Sequence, residues 1–162
     1  MAVITKADPS GDLMFLLSQA SYALTTELTA GLAELGISPR AHCVLTTAMT
    51  GELTQGRLAE LCALDKTTMT VTMDELERAG LAERRPSADD RRARIIVVTE
   101  AGRRAVADAG EIVARIYEDV LGSLPAHERA AFTDGLTRLV GGRLAIPAAC
   151  AKPPRRRVPR SG

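Results

Sequence analysis

The fold is decided by residues 56–99, which read GRLAELCALDKTTMTVTMDELERAGLAERRPSADDRRARIIVVT. The first part of this stretch places three apolar residues on one face of a short helix, namely Leu58, Ala59 and Cys62. A tight turn follows at Ala63 and Leu64, and Asp65 stands where the N-cap of a second helix is expected. The pattern predicts a helix-turn-helix.

The second helix has an apolar stripe and a polar outward face. Met69, Met73 and Leu76 recur at steps of four and three, which predicts that they are buried together. The outward face carries Thr67, Thr70, Val71, Asp74 and Arg78. Hydroxyl groups can bind phosphates or base edges and a valine can contact a thymine methyl group, so this face suits a DNA major groove. A solvated, threonine-rich helix surface explains the same residues equally well.

Two strands and an arginine-rich turn follow the second helix. Residues 81–85 and 94–98 have strand character, and residues 86–90 have turn chemistry. The predicted hairpin carries five arginines at its base and tip, which are Arg84, Arg85, Arg91, Arg92 and Arg94. Two or three arginines on a narrow ribbon beside a helix-turn-helix would reach a DNA minor groove. A solvated hairpin tip, partly neutralised by Asp89 and Asp90, is the alternative.

Four segments of this stretch resemble the MarR family of bacterial transcriptional regulators. They are LDKTTMT (64–70), LERAGLAERRP (76–86), DDRRAR (89–94) and VVTEAG (97–102). The resemblance implies a mainly α fold with a small β-hairpin wing, in which a winged helix-turn-helix lobe joins N- and C-terminal dimerisation helices. This chain has Ala63 where the family often has Gly, which costs about 1 kcal/mol if φ is positive there. It also has Val71 where the family often has Arg, so the operator sequence stays open.

Helical patterns flank the lobe on both sides. Asp8 and Pro9 predict the start of a long first helix with a wide apolar stripe, Ser38 caps a second helix, and Thr99 caps a helix that ends at Gly122. The predicted organisation is as follows: dimerisation helices at 8–36 and 123–145, a DNA-binding lobe at 37–99, a connecting helix at 100–122 and a disordered basic tail at 147–162. The resemblance implies that the terminal helices interlock between two subunits; packing of the first helix within its own chain is the alternative.

Composition narrows the class of partner. The chain has 162 residues and a net charge of +1, so only the local placement of arginines argues for nucleic acid. Aromatic residues make up 2%, too few to stack the bases of single strands, and duplex DNA is therefore favoured. No apolar run is long enough to cross a bilayer and no secretion signal is present, so we expect a cytoplasmic protein without membrane contact.

The residues that usually carry enzyme chemistry are few. His42 and His127 fall in separate predicted helices, and the cysteines Cys43, Cys62 and Cys150 have no CxxC spacing. No Ser-His-Asp set and no glycine-rich phosphate loop can be assembled. We therefore predict no catalytic residues, no metal site and no cofactor.

The residues and the resemblance together predict a sequence-specific regulator, a repressor, that binds a palindromic operator in double-stranded DNA as a homodimer. The predicted DNA contacts are Thr54, Gln55, Lys66, Thr67, Thr68, Thr70, Val71, Arg78, Arg85, Asp90, Arg91, Arg92 and Arg94. The resemblance implies that Asp90 orients Arg92 toward the minor groove. A winged-helix module that binds another protein and no DNA is the alternative, because fold alone does not settle function.

The resemblance also implies release from the operator by a small aromatic or phenolic effector. The candidate lining residues are polar or aromatic groups near apolar stripes: Tyr22, Thr26, Arg40, His42 and Tyr117. A plain structural role is the alternative for each. A thiol-based redox-sensing repressor is a further alternative with Cys43 as its candidate, although peroxide-sensing family members carry their reactive cysteine in the first helix.

Overall fold

A computed structural model describes residues 11–87 and 93–146. The elements in chain order are α1 (Leu13–Leu32), a 3-10 turn (Ala33–Leu35), α2 (Pro39–Ala48), α3 (Gln55–Leu61), α4 (Lys66–Arg78), β1 (Ala82–Pro86), β2 (Arg94–Val98), α5 (Glu100–Gly122) and α6 (Ala126–Gly141). The predicted fold class, mainly α with a small β-hairpin, is confirmed. The chain divides into two compact units, Met1–Asp119 and Val120–Gly162.

Side-chain caps set the starts of the helices. The Ser38 hydroxyl accepts the N–H of Ala41 at 3.1 Å, and the Asp65 carboxylate accepts the N–H of Thr68 at 2.9 Å. The Thr54 hydroxyl caps α3 in the same way. The caps at Ser38 and Asp65 confirm the predictions, and each of the three caps satisfies a backbone N–H that the first helical turn leaves unpaired.

The start of α1 differs from the prediction. The helix begins at Leu13, and its cap is Asp12, whose carboxylate accepts the N–H of Phe15 at 2.8 Å. Asp12 offers the same capping chemistry as Asp8 one turn later, directly before the apolar stripe, so the predicted cap was wrong. Asp8 and Pro9 lie outside the described residues, as does the predicted basic tail at 147–162.

The core of the first unit lies between α2, α3, α4 and the hairpin. The side chains with at most 2% exposure in this core are Val44, Leu45, Leu58, Met69, Met73, Leu76 and Ala82. The predicted stripe on α4 is therefore confirmed. Thr72 is buried beside that stripe, and its hydroxyl donates to the carbonyl of Thr68 at 2.8 Å, which satisfies the polar group.

The hairpin is an antiparallel pair joined to the segment before α3. Its register runs from Ala82 opposite Val98 to Pro86 opposite Arg94. The N–H of Ile96 donates to the carbonyl of Leu53 at 3.1 Å, so the base of the hairpin is fixed to the entrance of α3. β2 has the predicted bounds and β1 is shifted by one residue, while most of the predicted turn lies outside the described residues.

The turn between α3 and α4 requires a left-handed residue. Ala63 has φ of 53°, and the next N–H, of Leu64, donates to the carbonyl of Ala59 at 2.8 Å. Glycine adopts this conformation without a Cβ penalty, whereas alanine costs about 1 kcal/mol. The sequence predicts this cost only if φ of Ala63 is positive, and φ is positive in the structure.

The first turn of α5 is pressed against the turn that joins α4 to β1. The Thr99 hydroxyl accepts the N–H of Gly102 at 3.0 Å and donates to the carbonyl of Gly80 at 2.7 Å, which confirms Thr99 as a cap. A Cβ on Gly102 would lie 2.0 Å from the carbonyl oxygen of Leu81. Only glycine fits at this point of contact.

A second, smaller core joins α1 to α5. Leu32, Ala109 and Val113 are buried in it, and Leu28 and Ile112 pack against them. The N-terminal part of α1 leaves large apolar side chains exposed, with Met14 at 71% and Tyr22 at 73%. None of the described helices is long and apolar enough to cross a membrane.

Exposed apolar residues also occur on α6, in the second unit. Phe132 is 48% and Val140 is 64% exposed. The helix ends at Gly141, and it has no buried residue.

Two glycines of α5 provide a matched test of the contact with the α4–β1 turn. Replacing Gly102 with alanine should lower the free energy of unfolding by about 1–3 kcal/mol, because the Cβ overlaps backbone that cannot move away. Replacing Gly110 in the same helix, which has nothing within 4 Å of a Cβ, should raise it by roughly 0.5–1 kcal/mol. Urea unfolding followed by circular dichroism measures both, and changes of the same sign would contradict the assignment.

Candidate nucleic-acid interface

The outward face of α4 does not pack against the core and is exposed to solvent. Lys66, Thr67, Thr70, Val71 and Arg78 are all exposed, as the sequence predicts, and Val71 is exposed by 48%. The face begins at the N-terminus of the helix, where unpaired N–H groups and the helix dipole favour an anion such as a phosphate. Its residues combine a cation, small hydroxyls and one apolar group, which is a set that can contact both backbone and bases.

The Asp65 and Thr68 side chains are bonded to each other at this N-terminus. The Thr68 hydroxyl donates to the Asp65 carboxylate at 2.6 Å, and this bond, followed by the backbone N–H of Thr68, lowers the pKa of Asp65. The carboxylate is therefore charged at neutral pH and holds the first turn of α4. Thr54 is likewise engaged as a cap, so its hydroxyl oxygen accepts the N–H of Arg57 at 3.2 Å.

Arg84 does not extend from the hairpin into solvent. Only 21% of its side chain is exposed, and its guanidinium donates to Asp74 Oδ1 at 2.8 Å and to Glu77 Oε2. The backbone N–H of Arg84 donates to the other oxygen of Glu77 at 2.8 Å. The sequence placed Arg84 among the arginines that line the hairpin; the structure turns it inward, onto α4.

Gln55 connects the same arginine to α3. The Nε of Arg84 donates to Gln55 Oε1 at 2.9 Å, and Gln55 Nε2 donates to the hydroxyl of Thr70 at 3.4 Å. We call the set Gln55, Thr70, Asp74, Glu77 and Arg84 the Arg84 clamp. It joins the start of α3, the outward side of α4 and strand β1, so α4 and the hairpin are held at a fixed mutual angle.

Sequence reasoning treated Gln55 as a DNA contact and missed the clamp. Two acids one turn apart on α4, Asp74 and Glu77, beside an arginine of the following strand were the available signal. The partner in α3 lies 29 residues from Arg84, and no local pattern identifies it.

Two other arginines of the hairpin, Arg85 and Arg94, point outward. Arg85 and Arg94 are exposed at the far end of the strand pair, and Arg85 is paired with Glu83. Asp90, Arg91 and Arg92 lie outside the described residues, so their roles stay predictions. Across residues 11–87 and 93–146, no group of three or more metal-ligating side chains comes together.

A cavity of about 240 Å³ lies between α1, α2 and α5. Two of the five predicted effector-binding residues, His42 and Tyr117, line it together with Leu32, Cys43 and Val113. Tyr22 and Thr26 instead line an open hollow on the exposed face of α1, and Arg40 is exposed on α2 and lines neither space. The structure thus brings together only part of the predicted set.

Thr46 and Thr47 also line the cavity, and sequence reasoning missed them. Thr46 follows His42 by four positions on α2, and Thr47 follows Cys43 by four. Residues at this spacing lie on the same side of a helix, so the sequence contained the signal that could have identified both threonines.

His42 carries an unsatisfied polar atom at the cavity. Its Nε2 is buried and has no hydrogen-bond partner among the described residues. Burial lowers the pKa of His42, so the imidazole is neutral at physiological pH and Nε2 can accept or donate one bond depending on its tautomer. A buried polar atom without a partner indicates a place where a ligand or water supplies the missing bond.

Cys43 lacks the electrostatic surroundings of a fast peroxide-reacting cysteine. Burial is the main cause that raises the pKa of its thiol, and Cys62 adds to the effect. The thiolate is the reactive form, so this thiol reacts slowly with oxidants at neutral pH.

The chain is similar in sequence and structure to transcriptional regulators. The MarR family model matches residues 35–93. A MarR family transcriptional regulator from Rhodococcus sp. RHA1 is 27% identical with a TM-score of 0.75, over 82% of this chain and 96% of that one. CouR from Rhodococcus jostii RHA1 bound to p-coumaroyl-CoA is 27% identical with a TM-score of 0.73, over 90% of this chain and 99% of that one.

A third structure contains nucleic acid. The transcriptional repressor CouR bound to a 23-mer DNA duplex is 26% identical to this chain with a TM-score of 0.71, over 79% of this chain and 92% of that one. The family match covers the helix-turn-helix and the first strand of the hairpin and ends before β2, and these structures extend the similarity over β2 and the flanking helices. Residues 35–93 therefore match the MarR family, and the chain is similar in sequence and structure to winged-helix transcriptional regulators of that family.

Proposed function

We propose that this protein is a homodimeric repressor that binds a palindromic operator in double-stranded DNA and is released from it by a small aromatic or phenolic effector. The observation that carries the proposal is the exposed face of α4, held by the Arg84 clamp beside an arginine-bearing hairpin. The similar repressor CouR, bound to a DNA duplex, supports the choice of partner.

In this proposal each lobe places α4 in a major groove. Thr67, Thr70 and Val71 read base edges, whereas Lys66 and Arg78 bind phosphates at the two ends of the helix. Thr54 and Thr68 bring the N-termini of α3 and α4 to the DNA backbone, where the helix dipoles favour phosphate. Gln55 contributes through the clamp by fixing the position of α4.

The hairpin then lies over the adjacent minor groove. Arg85, Arg91 and Arg94 bind phosphates, and Arg92 enters the groove in an orientation held by the Asp90 carboxylate. A narrow minor groove concentrates negative potential, which favours an inserted guanidinium.

A homodimer follows from the apolar surfaces that the single chain leaves uncovered. The exposed apolar surface of α1 and that of α6 are each larger than is usual for a helix in contact with water. Packing against a second copy of the chain would remove these surfaces from water. We accordingly assign residues 8–36 and 123–145 to dimerisation, 37–99 to DNA binding and 100–122 to the connection. A two-fold dimer requires operator half-sites about 10 base pairs apart.

The effector site is the cavity at His42. Its volume of about 240 Å³ suits a one-ring acid or phenol, and the unpaired Nε2 offers one hydrogen bond to a hydroxyl or carboxyl group. CouR in complex with p-coumaroyl-CoA, which carries a phenolic ring, supports this class of ligand. A ligand that favours a different spacing of α1, α2 and α5 would shift the dimer away from the DNA-binding form.

Arg92 tests the role of the hairpin. Replacing it with alanine should weaken operator binding about tenfold or more and leave the dimer intact, because one inserted guanidinium is lost from each subunit. Fluorescence anisotropy measures the affinity and sedimentation the dimer. Arg104→Ala is the matched control, since Arg104 is exposed on α5 and pairs only with Glu100 among the contacts described. Equal affinity of Arg92→Ala and wild type would refute the wing contact.

Arg84 and Arg85 are neighbours with opposite roles. Arg84→Met should lower operator affinity without changing the slope of log K against log salt, because Arg84 positions α4 and touches no phosphate. Arg85→Met should reduce that slope by about one, since it removes a phosphate contact. If Arg84→Met flattened the slope and kept its circular dichroism spectrum, Arg84 would be a DNA contact and the clamp assignment would be wrong.

His42 tests the effector site. A panel of hydroxybenzoic and hydroxycinnamic acids should contain members that raise the Kd for operator DNA about tenfold or more, which corresponds to roughly 1.4 kcal/mol of differential binding. His42→Leu should abolish this response while binding DNA, because the apolar side chain cannot make the missing hydrogen bond. Thr26→Val is the control on α1, outside the cavity. An unchanged response in His42→Leu would place the effector elsewhere.

A further inference from the structure

Two thiols from different helices meet next to the helix-turn-helix. Cys43 lies on α2, and Cys62 is the C-cap of α3. The Sγ of Cys62 lies 3.9 Å from the carbonyl oxygen of Cys43 and 3.6 Å from the hydroxyl oxygen of Thr47, which is one turn further along α2. The thiol of Cys62 therefore lies against Cys43 in the reduced protein.

The two cysteines differ in their access to solvent. Cys43 is exposed and lines the cavity between α1, α2 and α5, whereas Cys62 is half-buried. A reagent from solution reaches Cys43 first, and Cys62 lies where it can react with a mixed disulfide formed on Cys43.

We propose that Cys43 and Cys62 are a redox-active pair that closes to an intramolecular disulfide by exchange with a low-molecular-weight disulfide such as oxidised glutathione. The Cys43 thiolate attacks one sulfur of the small disulfide, and the other sulfur leaves and takes a proton to become a thiol. The Cys62 thiolate then attacks Cys43 Sγ and releases the second small thiol. Two protein thiols and one small disulfide thus give one protein disulfide and two small thiols.

The surroundings favour a bond that forms slowly and persists. Burial and the neighbouring Cys62 raise the pKa of Cys43, so little thiolate is present to start the exchange. The same high pKa makes this sulfur a poor leaving group when a reductant attacks the finished bond. A metal is a weaker interpretation, since no third ligating side chain joins the pair among the described residues.

The position of Cys62 connects this bond to the DNA-binding face. Closure brings the two sulfurs to about 2.05 Å, and we expect this to draw the end of α3 toward α2. Cys62 directly precedes Ala63, the left-handed residue of the turn into α4, and α3 begins at Gln55 of the Arg84 clamp. We therefore expect the disulfide to weaken operator binding, a consequence that rests on the proposed function.

Intact mass spectrometry tests the disulfide. The Cys150→Ser protein, which keeps only the pair, is equilibrated with a series of reduced and oxidised glutathione ratios, quenched in acid and weighed. We expect a form lighter by two hydrogen atoms. In the same background, Cys62→Ser should instead accumulate a glutathione adduct on Cys43, and Cys43→Ser should resist both changes.

Two results would overturn the disulfide. In the first, the folded protein keeps both thiols free under excess oxidised glutathione, although the same protein unfolded in urea becomes oxidised. The other is a parent protein that accumulates the same stable adduct as Cys62→Ser, which would show that Cys62 does not resolve the mixed disulfide.

Anisotropy with operator duplex tests the consequence for DNA. The oxidised protein should bind about tenfold more weakly than the reduced protein, and dithiothreitol should restore the affinity. Equal affinities of a verified disulfide form and the reduced form would overturn the coupling. A reduced protein that binds no duplex would contradict the proposed function, and the masses would still decide the disulfide.

Discussion

The planar guanidinium of Arg84 is the contact on which the DNA-facing side of the structure depends. It bonds Asp74 and Glu77 on α4 and Gln55 on α3 from strand β1. The carboxylates are partly exposed, so each ion pair contributes little to stability, roughly 0–1 kcal/mol. The value of the clamp is geometric: a rigid fork with several donors accepts only one arrangement of three elements. A lysine at this position could not make the same bonds.

A second constraint fixes the lobe to the long helix behind it. Gly102 brings the first turn of α5 against the backbone of Leu81, and Thr99 bonds both sides of that contact. α5 also forms a wall of the cavity at His42. Because the interior is close-packed, a change in the spacing of the cavity walls is passed to the lobe as a movement of whole elements. Cys43 lines the cavity and contacts Cys62, which gives α3 a separate connection to the same space.

Features of the fold that are local in sequence could be predicted from it. The caps at Ser38, Thr54 and Asp65 follow from one side chain and the N–H three residues later. The buried face of α4 follows from helical spacing and the second strand from a β-branched run. Asp12 shows the limit even here, because two aspartates near the start of α1 have equivalent capping chemistry and only the folded chain selects one.

The site was less predictable because its contacts join distant segments. Gln55 reads as a DNA contact by residue type and Arg84 as one of five arginines on the hairpin, yet each is held by the other across 29 positions. The grouping of His42 with Tyr117 and the contact of Cys43 with Cys62 likewise depend on how the helices pack. The outward residues of α4 were found because helical periodicity alone separates them from the core. The wing residues Asp90, Arg91 and Arg92 remain predictions.

The central claim is that the protein presents α4 and the hairpin to duplex DNA as one unit, twice, about a helical turn apart. Hydroxyl-radical and methylation footprinting on an inverted repeat bound by the purified protein tests it most directly. We expect two protected major-groove tracts centred about 10 base pairs apart, each flanked on its outer side by a protected minor groove. A single protected tract, or two major-groove tracts without the outer minor-groove protection, would contradict the account.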